Sequence, residues 1–378
     1  MLTSLHIKNY RNLKDFTLDS LDQVNLITGK NNTGKSSLLE AVAIYASKGN
    51  ISLLAELLKN HGEYFREQSD DAGQMANLNL NALSSLFTGR VTGFDVSSGI
   101  FIGEAGKGIS HEKYEKPNFV ELRFVKYDEK SQQDTANTSI VKQRFIIDTI
   151  DENDFDEYRT GFYIRWPEGN QLIRLERNIF FPRPLVKPVN SANLEFIHTA
   201  YIDRESNGAL FDNITLTDKE RFVIEALKII EPKTERIAFI GKGSRERSAV
   251  IKLSDNEGVL PLKSMGDGIN RILTLILALV NSENGFLLID EFENGLHYTV
   301  QKQLWEIVFS LAKQLNIQVF ATTHSEDCIS GFEQALNENK EAIKGKLIRL
   351  DNVKGVITQT NFSPRELKIA NEQNIELR

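Results

Sequence analysis

The sequence predicts an α/β fold: a mixed sheet around a glycine-rich loop, with an antiparallel β-rich subdomain set into it. Three observations predict it. An apolar run, QVNLITG, enters the loop GKNNTGKS (Gly29 to Ser36), and a stretch of helical period, KSSLLEAVAIYAS, leaves it. The last third alternates helical and strand patterns, as an α/β sheet does. Between them, from Phe119 to about Phe181, apolar and polar residues alternate in twos and are rich in aromatic and β-branched side chains.

LTSLHIKNYRNLKDFTL reads as two short strands around a turn at Asn9 to Leu13, and QVNLITG as a third strand stopped by Gly29. After the loop, Leu38, Leu39, Val42 and Tyr45 fall at helical spacing, and ISLLAELLKNHGEYFREQ reads as a second amphipathic helix, or two broken at Gly62. From Ser69 to Ser110 the pattern fades around the island LSSLF. FVELRFVKY, SIVKQRFIIDTI, GFYIRWP and QLIRLERNIF then form the β-rich region, with Phe119, Phe124, Phe145, Phe162 and Trp166 read as core. FFPRPLVKPVN is an extended connector. Beyond it come the strand LEFIHTAYID, the helix TDKERFVIEALKII, a hairpin through ERIAFIGKGSRERSAVIKL, the helix NRILTLILALVNS and the strand GFLLIDE. The helix TVQKQLWEIVFSLAKQL, the strand IQVFATTH and a last helix capped by Ser363, Pro364 and Glu366 complete the order.

The chain has 378 residues, 40% of them apolar and 26% charged, as in ordinary globular proteins. A net charge of −7 gives no global field toward nucleic acid or anionic membrane. The single Cys328 suits a reducing compartment. MLTSLHIKNYRNLKDF turns polar too early for a secretory signal, and ILTLILALV is far short of the ~20 apolar residues a span needs. The expectation is a cytoplasmic protein with no membrane partner.

GKNNTGKS matches the phosphate-loop pattern G-x-x-x-x-G-K-[ST]. Backbone N–H groups from Asn31 through Asn32, Thr33, Gly34, Lys35 and Ser36 to Ser37 would cradle phosphate oxygens at a helix N-terminus. Lys35 would reach the β and γ phosphates and Ser36 would ligate Mg²⁺. FLLIDEFE presents Asp290 to a metal and Glu291 to an attacking water at the end of a buried strand. His324 ends the apolar strand VFATTH at the edge where open α/β sheets bind ligands. A second glycine-rich turn, SMGDG, holds Ser264, Gly266 and Gly268 in front of another apolar helix. One nucleotide with two anion sites is a puzzle for a single chain.

Taken in order, these motifs resemble the ABC-type ATPase head. More narrowly, IKNYRNLKDFTL, SMGDGINRIL, LLIDEFENGLHY and ATTHS resemble the OLD-like ATPases, relatives of RecF and SMC heads in the AAA family of ATP-binding proteins. The resemblance implies ATP and Mg²⁺ as ligands, and a homodimer in which Ser264, Gly266 and Gly268 of one subunit close over ATP on the phosphate loop of the other. It implies Lys35 and Ser36 as phosphate and Mg²⁺ ligands, Asp290 on the metal, Glu291 as general base, His324 as the γ-phosphate switch and Glu293 to Leu296 as the turn that communicates across the dimer. Arg11 and Asn12 either line the nucleotide, as in RecF-like heads, or form a solvated hairpin tip. Asp267 stands where transporters often carry a small residue, which favours the OLD-like branch. The glutamine loop has no clear position; Gln68 and Gln74 lie in the right region, and Arg90 is either a switch arginine or a surface residue.

The expected organisation is an N-terminal lobe with the phosphate loop (1–110), an antiparallel β-rich insertion (111–190) and a C-terminal lobe carrying the signature, the acidic strand end, the turn and the histidine (191–378). No Toprim nuclease domain is expected, since only 54 residues follow His324 and LIRLDNVKG holds no Asp-x-Asp. DEND at Asp151 reads as a solvated turn, and no heptad arm interrupts the chain. The implied function is an ATP-driven dimeric switch acting on a separately encoded effector, a Toprim-like nuclease of a defence system among the candidates. The alternative is a RecF-like DNA-binding factor, with Lys242, Arg245 and Arg247 either on phosphates or simply solvated. A transporter subunit is disfavoured by the start IKNYRNLKDF.

Overall fold

The computed structural model describes residues 1–65, 71–105, 118–133, 140–147, 158–180, 192–198, 204–241, 247–256, 258–338, 344–373 and 375–377. The chain forms two compact units, Met1–Thr3 with Ser20–Leu39 and Ala192–Arg378, and Ser4–Asp19 with Glu40–Ser191.

In the first unit, β3 (Val24–Thr28), β9 (Leu194–Ile197), β13 (Phe286–Ile289), β14 (Gln318–Thr322), β15 (Gly345–Val353) and β16 (Val356–Phe362) form a six-stranded sheet in the order β16-β15-β3-β14-β13-β9. All neighbours are parallel except the β15–β16 hairpin. VNLIT, FLLI and QVFAT are buried at every residue, the pattern of parallel strands covered on both faces. Register runs straight across the middle: Leu287 pairs with Val319, Val319 with Val24, and Val24 with Gly345.

Helices α4 (Arg204–Asp212), α5 (Glu220–Ile230), α6 (Asp267–Asn281), α7 (Tyr298–Gln314), α8 (Glu326–Glu338) and α9 (Pro364–Glu372) belong to the same unit. Helix α6 buries Ile272, Leu273 and every residue from Leu275 to Val280, so it is apolar nearly all round and runs through the core. Phe292 stacks on Trp305 at 3.9 Å and 7°, fixing the middle of α7 against the turn after β13. Ser363 and Glu366 close a reciprocal capping box on α9, with Pro364 at its first turn. A separate antiparallel sheet joins β10 (Thr234–Ile240), β11 (Ser248–Leu253) and β12 (Val259–Pro261).

The second unit holds a seven-stranded antiparallel sheet. Its strands are β1 (Leu5–Tyr10), β2 (Leu13–Leu18), β4 (Ile100–Gly103), β5 (Phe119–Gln133), β6 (Ile140–Ile147), β7 (Arg159–Trp166) and β8 (Gly169–Arg174), in the order β2-β1-β4-β5-β7-β8 with β6 on β5. Phe87, Phe124 and Phe162 meet at 5.2 to 6.5 Å in its core. Phe145, read as core from its alternation, is 46% exposed; among the described residues β6 pairs with β5 alone. Helix α2 (Ile51–Asn60) ends two residues before Gly62, and α3 (Ala72–Ser84), capped by Asp71, fills part of the stretch where the sequence pattern fades. Helix α1 (Lys35–Ala46) starts in the first unit and continues into the second.

Candidate active site

Three adjacent parallel strands, β3, β14 and β13, run in one direction, so their C-terminal ends lie along one sheet edge. Strand β3 delivers the phosphate loop, β14 delivers His324 and β13 delivers Asp290 and Glu291. That edge is where open α/β sheets bind ligands.

The loop's shape is set by Gly29. Its φ is +141°, and a Cβ there would lie 2.3 Å from the carbonyl oxygen of Leu350 on β15 and 2.9 Å from Thr33 Oγ1. Only a residue without a side chain fits under that carbonyl. Asn32 (φ +61°) and Gly34 (φ +91°) complete the turn. Asn31 and Asn32 are exposed, Thr33 is buried and donates to Lys30 O at 2.8 Å, and Ser37 lies half-buried on the first turn of α1. The Lys35 ammonium folds back over the loop, donating to Gly29 O at 2.7 Å and to Lys30 O at 2.9 Å. Burial pushes its pKa down to about 8 against the opposing pull of Asp290, Glu291 and Glu293.

Ser36 Oγ donates to Asp290 Oδ2 at 3.2 Å, so a hydroxyl and a carboxylate share one spot between loop and strand end. These are hard oxygen donors. Among the described residues no cluster of three or more Asp, Glu, His or Cys could hold a metal. One carboxylate plus one hydroxyl fits Mg²⁺, which keeps water and substrate phosphates as its other ligands.

Glu291 has φ +52°, a strained value for a non-glycine residue. Neighbouring strand ends hold it there. Thr322 Oγ1 accepts from Glu291 N at 2.9 Å while donating to Asp290 Oδ1 at 2.7 Å, and Phe292 N donates to Thr322 O. Asp290 N donates to Ile197 O on β9. One turn further, the Glu293 carboxylate accepts from His324 N at 2.7 Å and from Thr323 Oγ1 at 2.8 Å. His324 is half-buried.

Arg271 reaches the same place from α6. It is 1% exposed, and its Nη2 donates to the main-chain oxygens of Glu291 at 3.3 Å and Asp290 at 3.5 Å. Burial lowers its pKa, against the pull of Glu291, Asp290 and Glu293. Thr322, Thr323 and Arg271 carry no assignment from the sequence. The threonines stand directly before His324, but only the register of β14 against β13 reveals what they hold.

Ser264 lies in a short 3₁₀ turn (Leu262–Met265) and donates to Pro261 O at 2.7 Å; Gly266 (φ +102°) precedes α6, with nothing within 4 Å of a Cβ placed on it. A Cβ on Gly268 would lie 3.5 Å from Gly295 O, so the start of α6 abuts the turn after Glu293.

In the second unit, Arg11 (φ +48°) lies in the β1–β2 turn beside exposed Asn12. The Arg11 Nε lies 2.8 Å from Glu40 Oε2, and Glu40, 4% exposed, also accepts from Tyr10 OH at 2.8 Å and pairs with His61 Nε2 at 2.5 Å. Arg90 forms an ion pair with Glu63. Gln74 lies in the first turn of α3, where its main-chain N donates to Asp71. In the first unit, Arg247 makes a two-pronged ion pair with Asp212. Gln68, Asp151, Lys242 and Arg245 lie outside the described residues.

The fold is that of an SMC-type ATPase head. The crystal structure of an SMC head bound to the C-winged helix domain of ScpA matches with a TM-score of 0.53 at 12% identity, covering 96% of this chain and 98% of that one. Residues 24–327 match the family described as "AAA domain, putative AbiEii toxin, Type IV TA system", and the chain belongs to that family. It is 24% identical over 385 residues to an ATP/GTP phosphatase of Helicobacter pylori, covering 99% of this chain and 100% of the relative. A shorter match, 41% over 66 residues, relates 17% of the chain to 18% of the DNA replication and repair protein RecF of Caldanaerobacter subterraneus. Among the described residues no helix is long and apolar enough to cross a membrane.

Proposed function

We propose that the protein binds and hydrolyses ATP as a two-state switch, in the OLD-like branch of its family. The observation that carries this reading is the convergence of Lys35, Ser36, Asp290, Glu291 and His324 at the ends of three adjacent parallel strands. Loop N–H groups and Lys35 hold the phosphates. Mg²⁺, held by Ser36 and Asp290, would neutralise charge on the phosphate oxygens. Glu291 orients the attacking water and accepts its proton, and His324 reads the γ-phosphate from the adjacent strand end. The printed name of the Helicobacter relative supports nucleotide phosphate hydrolysis and makes GTP a second substrate to test.

Ser264, Gly266 and Gly268 supply the second anion site. In this reading they close over ATP held by another copy, so two chains sandwich two nucleotides. The exposure of Ser264 and Gly266, with open space above Gly266, supports it. The switch acts on a separately encoded effector, with a Toprim-like nuclease in a defence system as the class favoured.

The test is phosphate release and light scattering on wild type, Lys35→Ala and Glu291→Gln, with ATP, GTP and Mg²⁺. The expected result is turnover in wild type only, nucleotide binding lost in Lys35→Ala, and an ATP-dependent dimer that persists in Glu291→Gln. Wild-type turnover in Glu291→Gln sinks the assignment. The local match to RecF supports a second reading, an ATP-dependent DNA-binding factor. That reading requires DNA binding that weakens steeply with salt.

A further inference from the structure

We propose that Glu293 is a positioning residue: its carboxylate fixes the His324 loop to the strand end that carries Asp290 and Glu291. The inference rests on the hydrolytic reading above and assigns the mechanical link within it.

The geometry is a two-donor, two-acceptor match. One Glu293 oxygen accepts from the main-chain N–H of His324 at 2.7 Å, and the other accepts from the Thr323 hydroxyl at 2.8 Å. Charged acceptors make the stronger hydrogen bonds, so a carboxylate here restrains the loop more firmly than water would. Thr323 Oγ1 also accepts from Ser325 N at 3.0 Å, and Thr323 N donates to Ile27 O at 3.0 Å, just before the phosphate loop. One side chain thereby joins the turn after β13, the histidine at the end of β14 and the last residues of β3. Placing a third carboxylate beside Asp290 and Glu291 costs electrostatic energy, which the buried Lys35 and Arg271 offset.

The turn that Glu293 opens continues to Gly295, whose carbonyl sits beside Gly268 at the start of α6. Leu296 N donates back to Glu293 O at 3.0 Å, so the turn is a closed unit. A nucleotide pressing on the signature glycines pushes on that turn, and through Glu293 the push reaches His324 of the same chain. The signature face and the histidine switch are thus mechanically joined.

The experiment compares Glu293→Ala, Glu293→Gln, Thr323→Val, His324→Ala and Glu293→Ala/His324→Ala in ATP turnover, with amide exchange of the segment containing His324 measured without nucleotide. Glu293→Ala is expected to lower kcat about tenfold or more while KM changes less than about threefold, and Thr323→Val, which removes one of the two bonds, to fall between. Glutamine can accept from His324 N and donate to Thr323 Oγ1, so Glu293→Gln is expected to recover most of the lost kcat. The double variant is expected to be no slower than His324→Ala, and exchange at His324 to quicken in Glu293→Ala. Glu293→Gln as slow as Glu293→Ala overturns the proposal, since the charge itself is then what turnover needs. A full additional loss in the double variant also overturns it. If Glu293→Ala does not fold, wild-type kcat in Thr323→Val, or a kcat about tenfold or more below wild type in Glu293→Gln, overturns the proposal. Wild-type turnover in His324→Ala instead overturns the role given to the histidine, and the exchange result still judges the Glu293 link.

Discussion

Thr322 Oγ1 stands between two groups of the neighbouring strand end, donating to Asp290 Oδ1 at 2.7 Å and accepting from Glu291 N at 2.9 Å. One hydroxyl therefore satisfies a carboxylate oxygen and the main-chain N–H of a strained residue. Thr322→Val keeps the shape and removes both bonds. The expected cost is about 1–3 kcal/mol in urea unfolding, because the Glu291 N–H loses its acceptor. Turnover is expected to fall further than stability alone explains, since Glu291 leaves its held conformation. Wild-type kcat in this variant refutes the bracing role.

Lys35 predicts a pH dependence of nucleotide binding. Burial brings its pKa to about 8, so below that pH the ammonium is formed before the anion arrives. Above it the amine is neutral, and binding a phosphate must draw in a proton. Affinity is expected to weaken with a slope approaching tenfold per pH unit above about 8. Calorimetry in buffers of different ionisation enthalpy detects the proton taken up. Lys35→Arg stays charged throughout this range and removes the slope.

Glu40 predicts a stability effect in acid. Burial pushes its carboxyl up, but the His61 hydrogen bond, the Arg11 charge and the Tyr10 hydroxyl outweigh this and leave it below the ordinary value. Its contribution is complete above the unfolded value of about 4.3 and is lost as pH falls through the folded value. Glu40→Gln is expected to cost about 3–5 kcal/mol at pH 7, by stranding the buried Arg11 charge. The gap to wild type narrows below about pH 4.3. Urea melts at pH 7 and pH 3.5 check both statements.

Gly29 of the phosphate loop and Gly266 of the signature turn predict different failures. Gly29→Ala drives a Cβ into Leu350 O, so nucleotide binding by the single chain is expected to be lost along with part of the thermal stability. Gly266→Ala meets nothing but carries the strain of φ +102°. It is expected to retain binding to the phosphate loop and to lose the ATP-dependent dimer. Fluorescent nucleotide titration and light scattering separate the two.

The parallel strands and their terminal motifs were legible because each is a short apolar run that ends abruptly in chemistry. Helix α3 was not, because polar residues share its buried face with Met75, Ala82 and Leu83: Asn79 is fully buried and donates to Leu175 O and Arg177 O at 2.7 and 2.8 Å. A hydrophobic period cannot register an asparagine that packs by hydrogen bonding. Phe145 misleads in the opposite sense, since alternation marks a strand's two faces without saying which neighbour covers them. Thr322 and Thr323 illustrate a third limit. Threonine is an ordinary strand residue, and its bonds to Asp290 and Glu293 depend on which strands lie side by side.

The strand that feeds the phosphate loop has neither of its partners nearby in sequence. Val24 pairs with Val319 on one side and Gly345 on the other, and Gly29 is roofed by Leu350. A nascent chain leaving the ribosome therefore carries the complete GKNNTGKS motif long before the motif has a floor to rest on. Both flanking strands of the loop are missing until the residues through Leu350 have emerged, whereas the hairpin of Leu5–Leu18 can pair at once. The loop's sequence is thus among the first parts of the chain to be made, and its shape is set only after residue 350.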